Sequence, residues 1–168
     1  HSASGSGSDE WVLCSTVASV TAGTYVITWD NSYYLPSETS ATQNPAVGSG
    51  ITVSNSKLSN TVTSAMQWTL TGNNSDGFTI NHTSGSTTYT LGASNTAQGI
   101  TIVTTSNSTT WTVSVNDNYG MLLKGSDTGT RYLAVYSSSS WRYYATGTNY
   151  TGTLRLYKKT SSVSYTNY

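Results

Sequence analysis

Few side chains in this sequence could act as acid, base or nucleophile, so their positions decide what chemistry is open to it. Its two glutamates are Glu10 and Glu38. Cleaving a glycosidic bond needs two carboxyl groups facing across it, roughly 5 to 9.5 Å apart. Glu10 lies beside a Ser/Gly-rich leader and Glu38 in a long loop, so both read as solvated surface acids. Apart from His1, the histidine is His82, in Asn81-His82-Thr83-Ser84-Gly85. That segment reads as a hairpin turn, and with no Gly-X-Ser-X-Gly elbow His82 is expected as a turn residue, not a general base. Cys14 stands alone, so no intramolecular disulfide can form, and no Cys/His cluster has metal-ligand spacing. It reads as a small buried residue on a strand and not as a thioester partner of Gln43, Gln67 or Gln98. Lys57 and Lys124 carry no motif for an isopeptide bond, and the sequons at Asn73, Asn81, Asn107 and Asn149 are what chance provides in so Asn/Ser/Thr-rich a chain. Phosphate-cradling and calcium-loop motifs are missing. No enzyme activity, metal or cofactor is therefore expected.

Composition points to binding. Charged residues make up 8% of the 168, where an ordinary globular chain has about a quarter. The surface must be hydroxyl, amide and phenol. Seven basic residues balance seven acidic ones, leaving no field to attract nucleic acid. No apolar run approaches the roughly 18 residues that span a bilayer, so membrane insertion is not expected. Five Trp, thirteen Tyr and recurrent Val, Ile and Leu supply enough apolar surface to fold one domain over residues 9–160. Residues 1–8 read as a tag or linker remnant, and 161–168 as a polar tail.

Period-two alternation recurs throughout, as in Tyr25-Val26-Ile27-Thr28-Trp29, Trp68-Thr69-Leu70, Ile100-Thr101-Ile102, Trp111-Thr112-Val113 and Leu154-Arg155-Leu156. These are short β-strands with one buried face. They belong to a repeat. Gly77 to Tyr89 and Gly120 to Tyr132 are both 12 residues, and Tyr89 to Trp111 and Tyr132 to Leu154 are both 22. An earlier copy opens at Gly23, continues through Tyr34-Leu35 and ends at Trp68-Thr69-Leu70, with its extra residues around Ser37 to Gly50. The units span about 23–71, 77–116 and 120–159, each with four strands. Trp11-Val12-Leu13-Cys14 lies outside them and is expected to run beside the carboxy-terminal strand.

Three four-strand units with matched spacings resemble the β-trefoil, in which a six-stranded barrel is capped by three hairpins. The alternative is a β-sandwich, which would leave the spacings unexplained. Within the trefoils the chain resembles ricin-type lectin domains, which implies non-catalytic glycan binding. Sugars are held by stacking on Trp or Tyr while polar side chains take the hydroxyls. In that arrangement the third unit would supply Asp127, Arg131, Tyr136, Trp141, Tyr143 and Asn149, and the first Asp30, Asn31 and Tyr33. Trp141 would be an exposed platform at the end of a flexible serine approach, Ser137–Ser140. Its counterpart 43 residues earlier is Gln98, which suggests that the core needs no aromatic there. Ricin-type units end in Gln-X-Trp, a pattern not kept by Met66-Gln67-Trp68, Thr109-Thr110-Trp111 or Gly152-Thr153-Leu154.

The composition is similar to that of exported Gram-positive surface proteins. The expected location is therefore secreted or at the cell surface, within a larger multidomain protein, with a glycan or host-cell glycoprotein as partner. Two other readings fit: a structural or adhesive module, and a protease-inhibitor-type trefoil acting through the Ser37–Gly50 loop.

Overall fold

A computed structural model describes residues 9–93, 98–104, 109–126, 129–147 and 149–161. Its strands are β1 (Asp9–Leu13), β2 (Gly23–Trp29), β3 (Tyr33–Tyr34), β4 (Thr42–Gln43), β5 (Gly48–Ser49), β6 (Val53–Ser54), β7 (Lys57–Leu58) and β8 (Trp68–Asn73). They continue as β9 (Gly77–Ser84), β10 (Thr87–Ala93), β11 (Ile100–Val103), β12 (Trp111–Asn116), β13 (Gly120–Gly125), β14 (Arg131–Tyr136), β15 (Ser140–Ala145) and β16 (Leu154–Ser161). Apart from two three-residue 3₁₀ turns, at Val17–Ser19 and Ser64–Met66, the described residues contain no helix. The protein is all-β.

Six strands close a barrel in the order β2-β8-β9-β12-β13-β16 and back to β2. Closure satisfies the ladder groups that an open sheet leaves at its edges. It also rules out the two stacked open sheets of a sandwich. The six are the first and last strands of the three sequence units. Neighbours from different units pair over long antiparallel stretches, as in β8–β9 and β12–β13. Within a unit the contact is short: Gly23–Tyr25 with Leu70–Trp68, Phe78 with Trp111, and a brief parallel bridge of Gly120 and Met121 to Leu154. Gly77 and Gly120, which open the second and third units, have φ of 94° and 75°, a left-handed conformation that glycine adopts without steric cost. That is why the tight turns into β9 and β13 end on it.

The middle strands of the units form hairpins off the barrel: β10 with β11, β14 with β15, and the shorter β3 with β5. Two indoles repeat the same internal bond, Trp68 Nε1 donating to Leu35 O at 2.9 Å and Trp111 Nε1 to Leu91 O at 3.0 Å. Both rings are fully buried, with Tyr25, Ile27, Phe78, Ile80, Leu123, Leu154 and Leu156 around them. Each barrel tryptophan thus ties the last strand of its unit to the hairpin of the same unit.

The extra residues of the first unit have definite uses. The segment around β4 and β5 lies between the other two hairpins. It bonds to the second through Asn44 N–H to Ile100 O, and to the third through Val47 N–H to Ser139 O and Trp141 N–H to Pro45 O. The Ser37–Gly50 loop is therefore laced down along much of its length. The β6–β7 hairpin joins β1 over the outside of the barrel. There Trp11, Val26, Ile51 and Tyr157 form a second small core. As the sequence suggested, β1 runs antiparallel to β16, with Trp11 opposite Lys159. Lys57 to Glu10 and Lys159 to Asp9 are exposed ion pairs along this edge, at 3.0 and 3.4 Å. Exposed pairs of this kind contribute little stability.

Candidate functional site

Of the six residues singled out in the third unit, the five within the described residues do not converge. Asp127 lies outside the described residues. Arg131 opens β14 opposite Ala145, while Tyr136 ends it opposite Ser140. Five residue steps along a strand separate the two, about 17 Å. Asn149 is exposed beyond the open end of the hairpin, next to the fully buried Tyr150.

Trp141 is not a platform. Its side chain is 0% exposed and its Nε1 donates to Tyr34 O at 3.0 Å, crossing from the third unit into the first. A ring enclosed on both faces cannot stack on a sugar. Tyr143 is equally buried, its hydroxyl accepting from Gly125 N–H at 3.0 Å and its ring edge-on to Trp111 at 5.9 Å. Gln98, the counterpart of Trp141 by sequence shift, is not on β11. It precedes that strand with φ of 50°, and its carbonyl accepts from Tyr143 N–H. The comparison therefore matched a strand residue with a turn residue. In the first unit, Asp30 Oδ1 accepts from Thr153 N–H at 2.8 Å and Asn31 Oδ1 from Tyr157 Oη at 2.8 Å. Both polar groups are occupied in holding β16 to the turn.

What the third hairpin does present is Tyr136. It is 47% exposed, one of two large apolar side chains so exposed among the described residues, the other being Val115. The Arg142 guanidinium lies 5.7 Å from the centre of its ring and Tyr144 meets it edge-on at 6.3 Å. Arg142 Nε in turn donates to Ser140 Oγ at 3.1 Å, so the cation is fixed beside the ring.

The neighbouring turn is not a flexible serine tract. Ser137 and Ser138 both occupy the left-handed region, with φ of 48° and 54°. Tyr136 O accepts from Ser139 N–H at 2.9 Å and from Ser139 Oγ at 2.8 Å. Two non-glycine residues in this region cost on the order of 1 kcal/mol each. The surrounding bonds to residues 45–47 hold them there, and the turn presents Tyr136 rigidly.

His82 is also not in a turn. It lies on β9, three residues before Gly85 of the turn and opposite Tyr89. Its ring stacks on Tyr89 at 5.0 Å and 13°, and meets Trp68 edge-on at 5.0 Å. Burial pushes its pKa below the ordinary 6.5, against a smaller opposing effect from a hydrogen bond to the Glu38 backbone. Cys14 is buried, as read from the sequence, and burial pushes its thiol up. Its Sγ donates to Ser19 O at 3.6 Å.

Among the described residues no group of three or more His, Cys, Asp or Glu could hold a metal ion, and no helix is long and apolar enough to cross a membrane. The chain matches no family model, no curated protein and no solved structure.

Proposed function

We propose that this chain is a non-catalytic carbohydrate-binding module with a β-trefoil fold, working in a secreted or cell-surface protein. The trefoil reading is supported by the barrel, built from the outer strands of three units, and by the hairpins that the inner strands form. The observation that carries the function is Tyr136, an open aromatic face clasped by Arg142 beside a strained, hydroxyl-bearing turn. The ring offers the C–H face of a pyranose a stacking surface, and the guanidinium and serine hydroxyls offer hydrogen bonds to its oxygens. The near absence of charge elsewhere favours a neutral ligand.

One exposed platform contributes on the order of 1 kcal/mol beyond area burial. Binding at a single site is weak, and useful avidity comes from several copies acting together. The position of β1 argues for a binding module over a load-bearing spacer. Asp9 pairs with Ser161, so the two ends of the described domain lie side by side. Tension applied there would peel β1 from β16 one residue pair at a time.

The test is a neutral-glycan array probed with streptavidin-tetramerised protein. Wild type should retain a defined set of glycans, and Tyr136→Ala should lose them with its melting temperature within about 2 °C of wild type, as for a surface substitution. Equal retention by the variant would remove Tyr136 from the site.

A further inference from the structure

A cleft of about 340 Å³ lies between the first and second units. Its walls are Thr24 of β2, Gln67 and Thr69 at the head of β8, His82 to Ser84 at the end of β9, and Ser37, Thr39 and Ser64-Ala65 from loops. Among these ten residues Ala65 is the one without a polar side chain, and none is charged. Glu38 lies between two wall residues in sequence but is not itself part of the lining.

His82 Nε2 is buried and has no hydrogen-bond partner among the described residues. A neutral imidazole has one donor and one acceptor nitrogen, so Nε2 can take either part. Tyr89 stacks on the face of the ring and Trp68 meets it edge-on, so its plane is held. The side chains of Thr24, Gln67 and Thr69 likewise have no hydrogen bond among the described residues. Buried polar groups are almost always satisfied. A buried ring nitrogen without a partner, beside free hydroxyls and an amide, suits a ligand that brings its own hydroxyl.

We propose that this cleft is a second binding site, one that takes a neutral polyhydroxylated molecule of mono- or disaccharide size, with a ligand hydroxyl hydrogen-bonding to His82 Nε2 and the Gln67 amide holding a neighbouring oxygen. The volume sits at the low end for small-molecule sites, and an ionic ligand would lose hydration without finding a counter-charge. The site shares no residue with the Tyr136 face, so either can fail without the other.

The experiment is an imidazole ¹⁵N–¹H NMR titration of the whole chain with glucose, galactose, N-acetylglucosamine, maltose and cellobiose, with acetate and phosphate as ionic controls. At least one saccharide should move the His82 Nε2 resonance together with the Thr83 and Ser84 amides. The response should persist in Tyr136→Ala and weaken at least tenfold in Gln67→Leu. His82→Phe, which keeps a ring against Tyr89 and Trp68, should remove the amide response. Failure of all five saccharides to move Nε2 would mean that water alone occupies the cleft and would overturn the proposal. So would a response equally strong to the ions, or one lost in Tyr136→Ala.

Discussion

Replacing Trp141 by alanine separates a core tryptophan from an exposed platform more sharply than any other single substitution. The indole is 0% exposed and its Nε1 is the donor to Tyr34 O. Truncating a buried Trp to Ala costs about 3–5 kcal/mol, including the cavity it leaves, a large part of the roughly 5–15 kcal/mol that holds a typical domain together. For a chain of this length each kcal/mol lowers the melting temperature by about 2–4 °C, so Trp141→Ala should melt about 6–20 °C below wild type. Trp141→Phe keeps most of the volume but leaves the Tyr34 carbonyl without its donor, costing about 1–3 kcal/mol. Differential scanning calorimetry of the three proteins at one pH and concentration is the assay. A melting temperature for Trp141→Ala within about 2 °C of wild type would refute the placement of this side chain in the core.

Three further outcomes are expected. Tyr150 has a buried hydroxyl with no partner among the described residues, and its ring contacts Trp29 at 5.1 Å and Tyr119 at 5.4 Å. Tyr150→Phe should therefore be neutral or stabilising by up to about 1 kcal/mol in urea unfolding, and a clear loss would reveal a partner for the hydroxyl. His82 has a folded pKa below 6.5, so as pH falls through 6.5 the unfolded chain gains a proton that the native ring refuses. Stability should decline from pH 6.5 down toward the depressed native value, and His82→Phe should remove that part of the slope. Cys14, buried and with its thiol pushed up, should react with an aromatic disulfide roughly a hundredfold or more slower in the native protein than in urea. Equal rates would place the thiol at the surface.

The barrel was legible because its strands carry the strongest sequence signals. Trp111 and Leu154 head last strands 22 residues after Tyr89 and Tyr132, Trp68 heads the corresponding strand of the longer first unit, and the opening glycines mark the turns. The partnership of β1 with β16 could also be anticipated, since Trp11-Val12-Leu13 has strand character and no place in a unit. The hairpins were harder to read. A constant 43-residue shift assumes that second and third units keep register through their loops, yet β15 begins at Ser140 and β11 at Ile100, a difference of 40. Trp141 was thus compared with a turn residue. Alternation would have served better, because Trp141 and Tyr143 share a strand face and both are buried. The same rule applies to His82, which continues the alternation of Phe78 and Ile80 and lies in from the turn. The clasp of Arg142 on Tyr136 depends on the register of the β14–β15 hairpin, and the cleft beside His82 on how strands from different units meet, neither of which local pattern encodes.

The central claim is that the Tyr136 face binds neutral glycans. It is tested most directly by mapping backbone amide shifts of the labelled protein against a fixed panel of neutral oligosaccharides. The account predicts that at least one of them perturbs residues 135–142 in a saturable way, with Tyr136 and Arg142 moving most. A panel in which every oligosaccharide leaves those amides unmoved would contradict it.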